Sequence, residues 1–179
     1  MKSTQTRYGT VAVTLHWLSA LSIFALLGLG FRASALTGSP DKTLILTAHV
    51  TLGSVVLILT LFRIIWWAFA DQKPKPLSDD PAWQQISGKA VHILFYVVIL
   101  GMCASGIGMV ALSGAGAILF GGQTSPLPNF WDYLPRTPHG LGARFMLVLM
   151  ALHIGAALYH HFIRKDGLIW RMWFSADRK

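Results

Sequence analysis

Histidine is the residue type in this 179-residue chain whose placement is best suited to chemistry. Six of the seven histidines lie in or at the edge of long apolar stretches: His16, His49, His92, His139, His153 and His160. The seventh, His161, directly follows His160. Ionisable side chains inside apolar spans are uncommon and mark candidate functional sites. A single buried histidine is as often an ordinary hydrogen-bonded interior residue, so the informative feature is the arrangement of several.

The clearest arrangement is the spacing of fourteen residues between His139 and His153. In an α-helix, fourteen residues rise by about 21 Å and return almost to the same face. One helix therefore presents two imidazoles on one face at two depths. His49, near the start of another apolar stretch, matches the depth of His139, and His16 in a third stretch matches His153. The sequence predicts two pairs, His49 with His139 and His16 with His153.

Two stacked pairs of imidazoles in an apolar bundle favour haem over a bare metal ion. Imidazole suits zinc, copper, iron and nickel, but a two-histidine site leaves the charge of a bare ion poorly compensated in hydrocarbon. Haem brings four nitrogen ligands and an apolar macrocycle, and it needs only axial ligands from the protein. The chain has no Cys-x-x-Cys-His motif and a single cysteine, so we expect two non-covalent b-type haems. Glycines near the ligands would let the macrocycle approach the helices, although small residues are also common at membrane helix contacts: Gly53, Gly101, Gly106, Gly108, Gly142 and Gly155.

Long apolar helices must position these histidines. The chain is 54% hydrophobic and only 12% charged, against about 25% charged in soluble domains, and its mean hydropathy is +0.54. This composition argues against a soluble domain, and the net charge of +8 is better explained by membrane topology than by nucleic-acid binding. We expect an all-α membrane protein, a four-transmembrane-helix bundle forming one domain over residues 1–179. Four stretches reach the roughly 20 apolar residues that cross a bilayer: Val11–Phe31, Thr43–Phe69, Ala90–Leu112 and Gly140–Ile163.

The basic residues at the ends of these stretches predict the orientation. Eleven lie on one side, and four lie on the other: Arg32, Lys42, Arg136 and Arg144. The positive-inside rule therefore places both termini in the cytoplasm. The first stretch is longer than the apolar core of a signal peptide, so we expect it to remain as a helix. Pro138 marks the expected start of the fourth helix, which leaves His139 at its very end.

Several short motifs together give the chain a family resemblance. They are Arg7 followed by Leu15-His16-Trp17-Leu18, Ala48-His49-Val50 with Gly53, Lys73-Pro74-Lys75-Pro76, the His139 and His153 spacing, and Ala157-Leu158-Tyr159-His160-His161-Phe162 leading to Lys165-Asp166. With them the chain resembles the bacterial four-helix cytochrome b561 proteins along nearly its whole length, and among these the membrane superoxide oxidases. The resemblance implies a di-haem cytochrome of the bacterial inner membrane that oxidises superoxide to dioxygen at the periplasmic face and passes electrons to ubiquinone. It also implies that His16, His49, His139 and His153 are the axial ligands.

The resemblance associates the quinone with His160 and with a lysine of the preceding cytoplasmic loop, for which Lys73 and Lys75 are the candidates. His160 follows His153 by seven residues, so it lies near the same face, two turns closer to the cytoplasm. It is suited to a quinone carbonyl or to the haem propionates. The lysine and proline run is equally well read as a solvated loop.

Other ionisable residues have two readings each. His92 faces the inner haem or lies at headgroup level, and His161 is interfacial. Arg63 and Arg144 pair with haem propionates or serve as membrane anchors.

The residues are compatible with three functional classes, which differ in the electron donor. The outer loops carry a net charge of plus two, which suits superoxide but equally a soluble docking partner. The alternative to a stand-alone oxidoreductase is an electron-transfer subunit that links a partner dehydrogenase to the quinone pool. A third class is a haem-free membrane scaffold or small transporter. No protein side chain is expected to act as a catalytic group, since the cofactors carry the electrons.

Overall fold

The structure is a computed structural model that describes residues 2–36, 40–76 and 81–174. Within these ranges the chain is almost entirely helical and forms no β-strand. The described residues form five α-helices, which are, in chain order, α1 (Thr10–Ala35), α2 (Pro40–Ile65), α3 (Ala82–Ser113), α4 (Ala115–Leu119) and α5 (Arg136–Tyr159). Single π-helical turns extend α2 over Trp66–Ala70 and α5 over His160–Arg164, and 3₁₀ turns occupy Phe130–Asp132 and Ile169–Met172.

Four of these helical segments are long and apolar enough to cross a membrane, as the sequence predicts. They contain 26, 30, 32 and 29 residues and have mean hydropathies between 1.8 and 2.3. Large apolar side chains such as Leu21, Ile58 and Leu152 are exposed on their surfaces, which is the arrangement expected where lipid replaces water around the protein. The four-helix membrane fold is therefore confirmed.

The fourth membrane helix starts earlier than the sequence predicts. It begins at Arg136 rather than Pro138, and the backbone N–H of His139 donates to the carbonyl of Pro135 at 3.1 Å. Pro138 lies inside the first turn, where a helix needs no N–H donor and proline is tolerated. The predicted start was wrong because proline marks only the neighbourhood of a helix start. His139 consequently sits on regular helix.

The helices pack in two pairs that enclose a small core. α1 packs mainly against α2, and α3 packs mainly against α5. The buried apolar side chains are few: Ala12, Val13, Leu15, Ala33, Val56, Ala115, Leu119, Met146, Leu149 and Met150. So sparse a core is consistent with helices whose association depends on close packing and on polar contacts rather than on burial from water.

Hydrogen bonds around Asp71 hold the start of the described chain against the end of α2. The Asp71 carboxylate accepts from the backbone N–H of Ser3 at 3.0 and 3.1 Å, from the Ser3 hydroxyl at 2.8 Å and from Trp66 Nε1 at 3.2 Å. Ser3 Oγ in turn accepts from the N–H of Gly9 at 3.0 Å. Burial would raise the pKa of Asp71, but the hydrogen bonds from Ser3, Gln72 and Trp66 outweigh it and lower the pKa.

Arg171 joins the same region to the segment that follows α5. Its Nε donates to the carbonyl of Thr6 at 2.7 Å and its Nη2 to the carbonyl of Lys75 at 2.6 Å. The N–H of Tyr8 donates to the Arg171 carbonyl at 3.2 Å, and the N–H of Lys75 donates to Gln5 at 2.9 Å. Residues 3–9, 71–76 and 165–174 therefore meet at one end of the bundle, called here the terminal end.

The opposite end, called here the loop end, is formed by residues 114–135. Gly114 has a φ of 68°, in the left-handed region that favours glycine, and it separates α3 from the short α4. Thr47 Oγ1 of α2 donates to the carbonyl of Leu119 in α4 at 3.3 Å, and Leu119 is buried. These contacts seat α4 against α2.

Candidate functional site

The first predicted histidine pair lies toward the loop end of the bundle. The rings of His49 on α2 and His139 on α5 have centroids 6.1 Å apart. A Cβ atom added to Gly30 of α1 would lie 3.1 Å from Cε1 of His49, and one added to Gly106 of α3 would lie 3.3 Å from Cε1 of His139. Each imidazole thus lies against helix backbone that only glycine leaves open. All four long helices shape this pair.

A cavity of about 500 Å³ surrounds the loop-end pair. This is the size range of small-molecule and cofactor sites, which are mostly apolar with a few polar groups. Its lining includes both histidines and three basic side chains, Lys42, Arg136 and Arg144. Lys42 Nζ donates to the carbonyl of Leu36 at 3.0 Å. The cavity therefore combines apolar walls with positive charge.

The second predicted pair lies deeper toward the terminal end. The rings of His16 on α1 and His153 on α5 have centroids 6.3 Å apart. His92 of α3 lies beside them, with its ring centroid 5.5 Å from that of His153. Phe95, also on α3, has its ring centroid 5.4 Å from that of His153. Trp17 lies 5.4 Å from His16. The structure therefore brings together both predicted pairs and adds His92 to the second.

The ring separations match those of two imidazoles on one metal. About 2 Å for each metal–nitrogen bond and about 1.1 Å from each nitrogen to its ring centre sum to about 6 Å between the two centroids. The His49 and His139 distance of 6.1 Å and the His16 and His153 distance of 6.3 Å agree with this value. The His92 and His153 distance of 5.5 Å is shorter. The residues present thus fit two haems held by two histidines each, whereas the shorter His92 and His153 distance does not match this value.

Of the four imidazoles in the two pairs, only that of His139 has its Nδ1 in contact with a side-chain hydrogen-bonding group among the described residues. Nδ1 of His139 lies 3.0 Å from Oγ of Ser105 on α3. Nδ1 of His49 is buried and meets the hydrogen-bond criteria with no partner among the described residues. Ser105 is not predicted by the sequence, because a serine in a helix most often bonds its own backbone and carries no sequence signal of a partner.

Arg63 is the cationic side chain of the terminal-end pair. It lies on α2, fourteen residues after His49, which is the same spacing that separates His139 from His153. Its guanidinium interacts electrostatically with His16 and His153 and lies 5.9 Å from the ring centre of Tyr96. Its Nε is buried and has no hydrogen-bond partner among the described residues. This orphaned donor suits an anionic group such as a haem propionate.

The candidate quinone residues do not form a single cluster in the described part of the chain. Lys73 Nζ lies 5.8 Å from the ring centre of Trp67 and interacts electrostatically with His92. No hydrogen bond or ion pair joins Lys73 to His160 among the described residues. His160 is buried instead against Asp166.

Asp166 is an unpredicted partner of His160. Its Oδ2 lies 2.5 Å from Nδ1 of His160 and 3.7 Å from Nε of Arg164, and its Oδ1 accepts from the N–H of Leu168 at 3.0 Å. Burial would raise the pKa of Asp166, but the hydrogen bonds and the charges of His160 and Arg164 hold it below the ordinary value. The left-handed backbone at Lys165, with a φ of 52°, turns the chain so that Asp166 reaches back to His160. Sequence spacing alone does not reveal that turn.

The remaining predicted residues have structural surroundings of their own. His161 lies 6.0 Å from the ring of Trp170 near the terminal end. Arg144 Nη1 donates to the carbonyl of Gly140 at 3.0 Å at the loop end. Of the glycines named above, Gly106 lies against the ring of His139, whereas a Cβ at Gly101 or Gly155 would meet open space.

Comparison with known proteins identifies the family of the chain. Residues 7–175 match the family model described as prokaryotic cytochrome b561. The chain is 31% identical over 171 residues to cytochrome b561 homolog 1 of Escherichia coli strain K12, covering 93% of this chain and 96% of the relative. It is 26% identical over 186 residues to cytochrome b561 homolog 2 of the same strain, covering 95% and 93%. The chain therefore belongs to the prokaryotic cytochrome b561 family of membrane-embedded b-type cytochromes that function in electron transfer.

Proposed function

We propose that this protein is a superoxide:quinone oxidoreductase that holds two b-type haems. His49 and His139 would ligate the loop-end haem, and His16 and His153 the terminal-end haem. The observation that carries the proposal is the presence of two imidazole pairs at two depths, each with the ring separation that one iron requires. Each haem, when bound, would supply one-electron chemistry, and the two histidines of each pair would hold it. Two superoxide ions, one ubiquinone and two protons would give two dioxygen molecules and one ubiquinol.

The charge of the loop end supports an anionic electron donor. Lys42, Arg136 and Arg144 line the cavity around His49 and His139. Positive potential at a cavity raises the local concentration and the association rate of a small anion. With two histidines holding the haem, the basic side chains would bring superoxide to the cavity without a coordination position on the metal being needed.

The geometry of His160 supports a quinone at the terminal end. Its Nδ1 is engaged by Asp166, so Nε2 is the nitrogen left to hydrogen-bond a quinone carbonyl. Lys73 is the second proposed contact, reached from the neighbouring loop. The π-helical turn that carries His160 is a local irregularity of a kind found frequently at functional sites.

We further propose that residues 1–179 form one domain in the bacterial inner membrane, with the terminal end in the cytoplasm. The excess of basic residues at that end supports the orientation through the positive-inside rule. The hydrogen bonds that join residues 3–9 to residues 71–76 and 171 support a single unit. Accessibility of single cysteines introduced at Gln5 and Gln123 in whole cells tests the orientation, with Cys103 replaced by Ser in both. Labelling of the Gln5 position by an impermeant reagent would contradict it.

Rapid mixing of the purified protein with superoxide tests the electron donor. We expect reduction of b-type haem that superoxide dismutase abolishes, followed by reoxidation when ubiquinone is added. A sample with two haems per chain that superoxide leaves oxidised would contradict the proposed donor. A sample without a b-type absorption spectrum would contradict the ligand assignment itself.

A second candidate function follows from exposed apolar residues at the loop end. Trp131 is 68% exposed and Leu134 is 88% exposed, and apolar residues of this kind can form the centre of a docking surface. The protein would then be an electron-transfer subunit that receives electrons from a partner dehydrogenase. Haem that is reduced only when a membrane extract and a dehydrogenase substrate are added, and not by superoxide, would favour this function.

A further inference from the structure

The hydrogen bonds of Ser105 determine which nitrogen of His139 carries a proton. Oγ of Ser105 lies 2.8 Å from the carbonyl of Gly101 and 3.0 Å from that of Met102. A serine hydroxyl has one hydrogen to donate and lone pairs to accept with. With that hydrogen directed to a carbonyl, Oγ is free to accept from Nδ1–H of His139 across the 3.0 Å contact. This geometry favours the tautomer whose lone pair is on Nε2, where a metal can use it.

A hydrogen bond of this kind changes the electronic character of a metal-bound imidazole. When Nδ1–H donates to an acceptor, the ring becomes a more basic ligand. A more basic ligand stabilises the ferric state over the ferrous state, so the iron has a lower affinity for an electron. Nδ1 of His49 makes no such bond among the described residues. Ser105 therefore acts on the loop-end pair through one ligand only.

Arg63 has the opposite effect at the terminal-end pair. Its guanidinium is always charged, it interacts with both His16 and His153, and its Nε is buried without a hydrogen-bond partner among the described residues. A nearby positive charge stabilises the state with one more electron. We expect the three basic residues of the loop end to act less strongly, because each is partly engaged elsewhere. Lys42 donates to the carbonyl of Leu36, Arg144 is exposed and donates to that of Gly140, and Arg136 lies 4.3 Å from the ring of Trp131.

We propose that Ser105 and Arg63 make the two histidine pairs unequal electron acceptors, with the terminal-end site the stronger acceptor. Ser105 is a positioning residue that acts through His139, and Arg63 acts by its charge. Electron transfer from the loop end to the terminal end is then downhill. This inference rests on the ligand assignment of the proposed function, but it does not depend on the identity of the electron donor.

Anaerobic redox titration of the purified holoprotein, followed by its haem absorbance, tests the inference. The wild type should show two components of different midpoint potential. Ser105→Ala should raise the lower component, and Arg63→Gln should lower the higher one. Each change should reduce the equilibrium constant for electron transfer between the sites by about tenfold, which corresponds to about 59 mV for a one-electron couple. Ser105→Thr and Arg63→Lys, which keep the hydroxyl and the charge, should restore most of the difference.

Matched variants distinguish these effects from general changes in the helices. Ser87→Ala removes an exposed serine of α3 that makes the same kind of bond to its own helix, to the carbonyl of Trp83 at 2.6 Å, and it should leave both components unchanged. Arg7→Gln removes an exposed cation at the terminal end and should do the same. Electron paramagnetic resonance of the ferric protein should show a shifted signal for one haem only in Ser105→Ala.

Two results would overturn the inference. One is a wild type with two haems whose lower component does not move in Ser105→Ala. The other is a Ser105→Ala and an Arg63→Gln variant that shift the same component. A preparation with fewer than two haems per chain would instead contradict the ligand assignment, so the two failures are distinguishable.

Discussion

At the scale of single residues, the absence of a side chain is as important as the imidazoles. Gly30 and Gly106 sit where a Cβ would approach the rings of His49 and His139 to 3.1 and 3.3 Å. Such distances are tighter than ordinary van der Waals contact, so any larger residue must displace the ring. The position of each imidazole therefore depends on a glycine in a neighbouring helix.

We expect Gly30→Val to reduce the haem content by about half, because the new side chain pushes His49 away from His139. Haem per chain, measured by the pyridine haemochrome spectrum, checks this. Gly28→Val is the matched control on the same helix, since a Cβ at Gly28 meets open space. Full haem content in Gly30→Val would contradict this expectation, since it would show that the haem is retained when the His49 ring is displaced.

The assignment of His153 rather than His92 as a ligand is also testable at this scale. His153→Ala should lose the terminal-end haem while the loop-end haem is retained. His92→Ala should keep both haems, because its ring is 5.5 Å from His153, closer than two imidazoles on one metal. Haem content and the low-spin signals of the ferric protein measure both. Loss of one haem in His92→Ala, with two retained in His153→Ala, would reverse the assignment.

At the scale of elements, the chain turns back on itself after α5. The π-helical turn and the left-handed Lys165 place the Asp166 carboxylate against Nδ1 of His160. Asp166 holds Nδ1 of His160 and is fixed itself by Arg164 and Leu168. We expect Asp166→Asn to slow quinone-dependent reoxidation of the haems by about tenfold, as is typical when an orienting partner is removed. Haem content and reduction should not change.

Stopped-flow measurement of haem reoxidation by ubiquinone tests this effect, and Asp132→Asn at the loop end is the control. Asp132 also pairs with a side chain, since it accepts from Asn129 at 2.9 Å. Equal reoxidation rates in wild type and Asp166→Asn would show that the contact between Asp166 and His160 is only structural.

The hydrogen bonds of Asp71 predict a pH dependence of stability. Its pKa is lowered in the folded protein, so the stabilisation is fully present above the ordinary aspartate value of about 3.9 and is lost as the pH falls through the lower folded value. Asp71→Asn should lower stability at neutral pH by about 1 kcal/mol, or roughly 2–4 °C in the unfolding midpoint.

Thermal unfolding in detergent between pH 3 and pH 7 measures that difference, which should shrink at the acid end. Asp41→Asn, at an exposed position, is the control. A difference between Asp71→Asn and wild type that stays constant over this range would contradict the account.

At the scale of the whole molecule, the charge of the loop end predicts a salt dependence of the reaction with superoxide. The Debye length falls from about 30 Å at 0.01 M salt to about 8 Å at 0.15 M. We expect the rate of haem reduction by superoxide to fall several-fold over this range, because Lys42, Arg136 and Arg144 then attract the anion less. Reduction by dithionite-generated neutral dye radicals should be less affected. A superoxide rate independent of salt would contradict electrostatic attraction.

Much of this molecule could be predicted from periodicity. The four membrane helices follow from apolar length, and the meeting of His16 with His153 and of His49 with His139 agrees with depth along straight helices. What the sequence does not reveal are contacts made across helices by residues without a periodic signal. Ser105 is one such residue, and Asp166 depends on a left-handed turn that no local composition requires. The start of α5 differed because Pro138 is compatible with several positions in a first helical turn.

One feature of the fold bears on how the protein is made. α5 supplies one imidazole to each pair, His139 to the first and His153 to the second. At synthesis rates of about 5–20 residues per second, the 137 residues that separate His16 from His153 take about 7–27 s to translate. Until α5 is synthesised, the ribosome has delivered at most one member of each pair. Under the proposed ligand assignment, loading of a haem by both imidazoles would therefore follow the synthesis of α5.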